Sequence, residues 1–333
     1  MARIVLGLGT SHGPMLVTPP DQWGQRVEAD RRNKAHPYRG KTYTFEELVA
    51  MRAGDGLEAQ ITQDVWNKRH AACKAAISRL ADVLEEAKPD VAVIVGNDQK
   101  EMFNDSYNPA FGVFTGDFIE NRMGPEEEAG AREPGVGIAT PGRIPPEGAS
   151  YPGHPDLANH IAQHLTTNRF DVSTVTRLRE GRKAIGHAFG FVYRQVMRDR
   201  VIPNVPIIVN TFYPPNQPTV GRCYEFGKHL RDAIESWPKD MRVVLIASGG
   251  LSHFVIDEEV DHAILDAMKH RSIASVEKFG EATFQSGTSE IKNWVPVAGT
   301  MADLGLDLTV VDYVPCYRSM AGTGNAMGFV YWR

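Results

Sequence analysis

Several apolar runs in this chain end in short polar signatures flanked by glycine, and those ends are where chemistry can be placed. They read Gly9-Thr10-Ser11-His12, Gly96-Asn97-Asp98-Gln99, Asn210-Thr211-Phe212-Tyr213 and Ser248-Gly249-Gly250-Leu251-Ser252-His253, and Ser286-Gly287-Thr288-Ser289-Glu290 later adds a carboxylate. Two histidines at run ends and one glutamate form a set suited to metal binding or acid–base work. A neutral imidazole, with an ordinary pKa of about 6.5, can bind a cation or accept a proton near neutrality. Each residue alone also has a plainer reading: His12 and His253 as hydrogen-bonded strand-end side chains, Glu290 as a helix-start acid favoured by the helix dipole. Ser11 and Ser252 each precede a histidine, yet the chain lacks the nucleophile elbow of a serine hydrolase. It also lacks a Walker loop, a GxGxxG and an HExxH.

The elements that must position these residues follow from periodicity. Residues 4–8, 91–96, 205–210 and 242–250 are short apolar runs of the kind a parallel sheet buries on both faces. Helical patterns cover residues 63–87, 156–165, 223–237, 258–269 and 290–303; in the first, Cys73, Ile77, Leu80 and Leu84 line one face. A closing strand pair is expected near residues 308–313 and 328–332. Strands alternating with helices predict a single three-layer α/β/α domain over residues 1–333 with a mostly parallel or mixed central sheet. In such sheets ligands sit beyond the carboxyl ends of the strands, where the signatures fall. Two stretches interrupt the alternation and read as lid-like insertions. Residues 19–62 hold one short helix near 44–53. Residues 121–150 carry six Gly and five Pro, which predicts a mobile loop rather than an element, with Glu126–Glu128 as a solvated charge run.

Composition narrows the function. Lys and Arg total 36 against 41 Asp and Glu, a net charge of −5, which argues against a nucleic-acid binder held by phosphate contacts. No apolar run approaches the roughly 20 residues that span a bilayer, so no membrane role is expected. The start is too quickly polar for a secretory signal. Cys73, Cys223 and Cys316 are scattered without CxxC spacing, so neither a disulfide framework nor a zinc knuckle is expected. The expectation is a reduced, cytoplasmic chain.

Taken in order, the signatures resemble one family. They comprise Thr10-Ser11-His12-Gly13-Pro14, Asn97-Asp98-Gln99, Gly153-His154-Pro155-Asp156, Gly186-His187, Tyr213-Pro214-Pro215, Arg222-Cys223, Gly249-Gly250-Leu251-Ser252-His253, Ser286–Glu290 and Ala321-Gly322-Thr323-Gly324-Asn325-Ala326. The pattern is similar to the class III extradiol ring-cleaving dioxygenases, the superfamily of the protocatechuate 4,5-dioxygenase catalytic subunit. Tyr-Pro-Pro and the long excursion after the first histidine look most like its gallate and 3-O-methylgallate branch.

The resemblance implies a non-heme Fe(II) held by two His and one carboxylate, with open positions for a catecholate and O2. His12 matches the first ligand, Glu290 the carboxylate, His253 the base and His187 a histidine near the substrate hydroxyl. Thr323 and Asn325 fall where the family positions the ring substituent, Arg318 lies nearby in sequence, and Tyr213 of the Tyr-Pro-Pro signature is a further expected substrate contact. It implies a small aromatic substrate and O2, and an assembly as a homodimer or with a small helical subunit, part of which residues 19–62 would supply in the same chain.

One position departs from the pattern. The second His ligand is replaced by Gln99, whose amide oxygen is a harder, weaker donor that shifts preference from Fe(II) toward Mn(II) or another divalent ion. Either Gln99 ligates, or another side chain substitutes, or the site binds metal poorly. His70, on the core-facing stripe of the 63–87 helix, is one expected substitute; Asp98 and Glu101 are also near in sequence, although strand alternation turns Asp98 the other way. Two further readings remain: a metal-dependent, non-oxidative hydrolase or lyase acting on an aromatic acid, and a non-catalytic binding protein on the same fold.

Overall fold

The computed structural model describes residues 1–131 and 137–333. Among these, nine strands form the central sheet: β1 (Ala2–Thr10), β2 (Val91–Asn97), β3 (Phe111–Phe114), β4 (Ser173–Val175), β5 (Asn204–Val209), β6 (Met241–Ser248), β7 (His253–Val255), β8 (Leu308–Tyr317) and β9 (Thr323–Trp332). Their order is β7-β9-β1-β6-β2-β5-β3-β4, with β8 also paired to β9. The central four, β1, β6, β2 and β5, run parallel. β9 is antiparallel to β1, and β3 to β5, so the sheet is mixed.

Alternation along the strands builds the layers. Val91, Val93 and Val95 face one side with Leu157, Phe226 and Leu230, whereas Ala92 and Ile94 face the other with Ile77 and Leu80. The main helices are α1 (Gln63–Ala87), α2 (Pro155–Thr167), α3 (His187–Phe191), α4 (Val220–Glu235), α5 (Glu258–His270) and α6 (Trp294–Met301). α1 matches its predicted span. The Thr62 hydroxyl accepts from the Val65 N–H at its start, and left-handed Lys88 ends it.

Three expectations are revised. Residues 121–150 do contain elements: Phe118–Asn121 pairs with Ala149–Pro152, and Pro125–Ala131 is helical. Glu127 accounts for this, because its buried carboxylate accepts from the Lys183 and Ala184 N–H groups, each at 3.0 Å, so the acidic run is not wholly solvated. The rest of that reading, over residues 132–136, lies outside the described residues. The predicted 290–303 helix also changes form. Ser286–Asn293 is a tight 3-10 turn that feeds α6, and it places Glu290 mid-turn rather than at a helix start. It is wedged under β7, where a Cβ on Gly287 would collide with the His253 backbone and ring. Finally, residues 19–62 hold more than one helix: the one expected near 44–53 is present as Phe45–Met51, begun by a Thr44–Glu47 capping box, but Val27–Arg32 is also helical and His36–Tyr38 pairs with Lys41–Tyr43.

The register brings the signatures level. Thr10 pairs with Ser248, and Ser248 with Gly96, so the peptides that follow β1, β6 and β2 emerge side by side at the carboxyl edge.

Candidate active site

Glu290 is the hub of this edge. Its buried carboxylate accepts from the Asn97 amide at 3.1 Å and the Gln99 amide at 2.9 Å through Oε1, and from the Gly250 N–H at 2.8 Å through Oε2. Burial opposes the charged form, but His12 and His253 outweigh it and hold the carboxyl well below its usual pKa.

His12 leaves β1 and meets that carboxylate with a defined tautomer. The Ser248 hydroxyl donates to the Ala188 carbonyl at 2.7 Å, so its oxygen accepts from His12 Nδ1–H at 3.0 Å. His12 Nε2 is then a bare lone pair 3.0 Å from Glu290 Oε2, buried and without a hydrogen-bond donor. Burial lowers the His12 pKa and keeps the ring neutral. Two acceptors facing each other at that distance need a cation between them, so the donor set fits a divalent metal.

His187 begins α3 and stands edge-on to His12, with ring centroids 4.7 Å apart. Its Nδ1–H donates to Glu101 Oε2 at 2.7 Å, and its backbone N–H donates to Glu101 Oε1 at 3.0 Å. Burial disfavours the charged ring, yet the charge and hydrogen bond of Glu101 prevail and raise its pKa. Burial likewise works against Glu101, but His187 and Arg143 hold its carboxyl at about 2. Among the described residues, His12, His187 and Glu290 each place one ligand atom within 4.8 Å of the others, a grouping suited to a metal ion.

His253 enters β7 with its Nδ1–H donating to the Leu251 carbonyl at 2.7 Å. The remaining Nε2 faces the site, 3.7 Å from Glu290 Oε1. The glycines before it are steric requirements, since a Cβ on Gly250 would lie only 2.2 Å from a ring carbon of His253.

These side chains line one cavity of about 250 Å³, together with Gln99, Asn325, Arg143 and Arg26. Phe191, Phe254 and Val17 supply apolar walls. Of the sequence-predicted residues, His12, Gln99, His187, His253, Glu290 and Asn325 come together here. Four do not line the cavity. Arg318 is buried in a two-pronged pair with Asp30, at 2.7 and 2.8 Å, and reaches Asn325 Oδ1 at 3.5 Å. Thr323 donates to the same Asp30 at 2.7 Å. Tyr213 lies under the Lys100 ammonium, 4.9 Å from its ring centre. His70 stands against Trp23, with ring centroids 6.2 Å apart, because residues 14–26 fill the space between α1 and the strand ends.

Sequence reasoning named Glu101 only as a carboxylate near the departed ligand position, and gave no role to Arg143. Glu101 lies two residues beyond Gln99, within reach of the same strand end. Arg143 comes from the 121–150 insertion, and its composition gave no sign that it would reach the cavity.

The family described as the catalytic LigB subunit of aromatic ring-opening dioxygenase matches residues 58–325. The chain belongs to this family. It is also 36% identical over 121 residues to a gallate dioxygenase of Pseudomonas putida, a stretch covering 35% of this chain and 33% of that protein. The match thus spans about a third of that relative's length. Among the described residues, no helix of this LigB-family chain is long and apolar enough to cross a membrane.

Proposed function

We propose that the chain is a metal-dependent extradiol dioxygenase that opens a single-ring vicinal diol bearing an anionic substituent, of the protocatechuate, gallate or methylgallate type. The observation that carries this reading is the bare His12 nitrogen facing the Glu290 carboxylate at 3.0 Å inside a LigB-family cavity. His12 and Glu290 would hold the ion, Fe(II) in first place with Mn(II) as the alternative, and the bound ion would supply Lewis acidity for the diol oxygens and access to O2.

The chain's own residues do the remaining work. His253, with Nδ1–H committed to Leu251, keeps Nε2 free to take a diol proton and return it later. Asn325 has its amide oxygen turned to Arg318, which leaves its N–H2 to donate into the cavity. Arg143 has one ion-pair partner among the described residues, Glu101 at 3.3 Å, and offers its other donors to an anionic ring substituent. The volume suits one substituted ring, since an apolar cavity of about 150 Å³ accepts benzene. Arg26 and Asp30 come from residues 19–62, so this insertion serves as the lid within the same chain.

O2 uptake by protein reconstituted anaerobically with Fe(II) tests the reading against protocatechuate, gallate and 3-O-methylgallate. One O2 consumed per ring-opened product is expected. Bound metal without uptake on any of the three would replace the reading with non-oxidative chemistry.

A further inference from the structure

We propose that His187, oriented by Glu101, is the second imidazole ligand of the metal, taking the place that the resemblance assigns to position 99; this rests on the metal-dependent reading above. The first support is what Gln99 is doing. A carboxylate only accepts hydrogen bonds, so the amide end meeting Glu290 at 2.9 Å has to be the nitrogen. Gln99 thereby works beside Asn97 as a donor that orients the Glu290 carboxylate.

The second support is the neighbour of His12. The edge-on contact of the two rings at 4.7 Å brings the imidazoles together, and a ligand atom of His187 falls within 4.8 Å of those of both His12 and Glu290. Its Nδ1–H is committed to Glu101 at 2.7 Å, so Nε2 carries the free lone pair. An imidazole backed by a carboxylate is the usual arrangement of a metal-bound histidine, because the partner fixes the tautomer and raises ligand basicity. Glu101 is itself held by the His187 backbone N–H at 3.0 Å and by Arg143 at 3.3 Å, both on Oε1. The set remains two neutral imidazoles and one carboxylate, so the charge of the site is that of a two-histidine, one-carboxylate centre despite Gln99.

Pulsed EPR on Cu(II)-loaded protein counts coordinated imidazoles directly. Two are expected in the wild type and in His253→Ala, and one in His187→Ala. Co(II) titration of the metal-free protein is expected to weaken about 100-fold in His187→Ala, roughly 10- to 100-fold in Glu101→Gln, and only about 10-fold in Gln99→Ala, which removes one of three donors to Glu290 and no ligand. A single imidazole in the wild type, or two persisting in His187→Ala, overturns the assignment, as does a loss in Gln99→Ala equal to that in His187→Ala. If circular dichroism finds His187→Ala unfolded, the wild-type count and Glu101→Gln carry the same decision. Two imidazoles without O2 uptake on any of the three diols would keep the ligand assignment and remove the dioxygenase reading. Uptake with a single-imidazole wild-type site would do the reverse.

Discussion

Three side chains at or beside the candidate site, His253, Arg143 and Arg318, make separable predictions. His253 has a free Nε2 and is not required to hold the ion, so His253→Ala should retain its metal by elemental analysis while turnover falls roughly 10²- to 10⁴-fold. Unchanged turnover would remove it from the mechanism. Arg143 is assigned to substrate recognition, and losing a charge-assisted hydrogen bond of about 1.5–3 kcal/mol should raise KM roughly 10- to 100-fold in Arg143→Ala. A drop in kcat at unaltered KM would instead place Arg143 behind Glu101 alone. Arg318 predicts the opposite pattern. Its guanidinium is spent on buried Asp30, so Arg318→Ala should cost about 3–5 kcal/mol of stability in chemical denaturation. The sequence made Arg318 look like a substrate contact because it stands near Asn325. What decides its role is a carboxylate 288 positions away, a pairing that no local pattern encodes.

At the level of elements, the runs that read most clearly are those whose period is set by burial. β2 and α1 were legible because Val91–Val95 are buried on both faces and Cys73, Ile77, Leu80 and Leu84 repeat along one stripe. His12 and His253 were legible as candidates through ordered signatures at the ends of apolar runs, and Glu290 through the separate signature Ser286–Glu290. The turn that carries Glu290 and the 121–150 insertion were not, because steric limits at Gly287 and the buried Glu127 anchor come from distant chain. The same steric logic makes Gly250 testable. Adding a methyl there drives into the His253 ring while leaving the Gly250 N–H bond to Glu290 chemically available. Gly250→Ala should therefore cost about 1–3 kcal/mol through overpacking and lower turnover, with metal still bound. Wild-type turnover in that variant would show that the ring tolerates displacement.

Across the whole molecule, the sheet edge, α5 and the loop before β7 are tied through one buried acid. Asp261 on α5 accepts from the Ser252 N–H at 2.6 Å, the Ser252 hydroxyl at 2.7 Å and the Tyr313 hydroxyl of β8 at 2.8 Å. Burial nevertheless dominates and pushes its pKa up to about 7 from an ordinary 3.8. The sign of the consequence follows from linkage. Between about pH 4 and 7 the unfolded chain has released this proton while the folded chain still holds it, so stability falls as pH rises through that window. Above about 7 both states are ionised and the contribution is constant, at a cost on the order of 4 kcal/mol relative to acid pH. Asp261→Asn cannot ionise, and other titrating groups cancel when the two proteins are compared. Urea denaturation at pH 5, 6, 7 and 8 should therefore show the wild type losing stability relative to Asp261→Asn as pH increases, with the difference levelling off at the alkaline end. A stability difference independent of pH would mean that the three hydrogen bonds keep Asp261 ionised throughout, and that burial does not govern its charge.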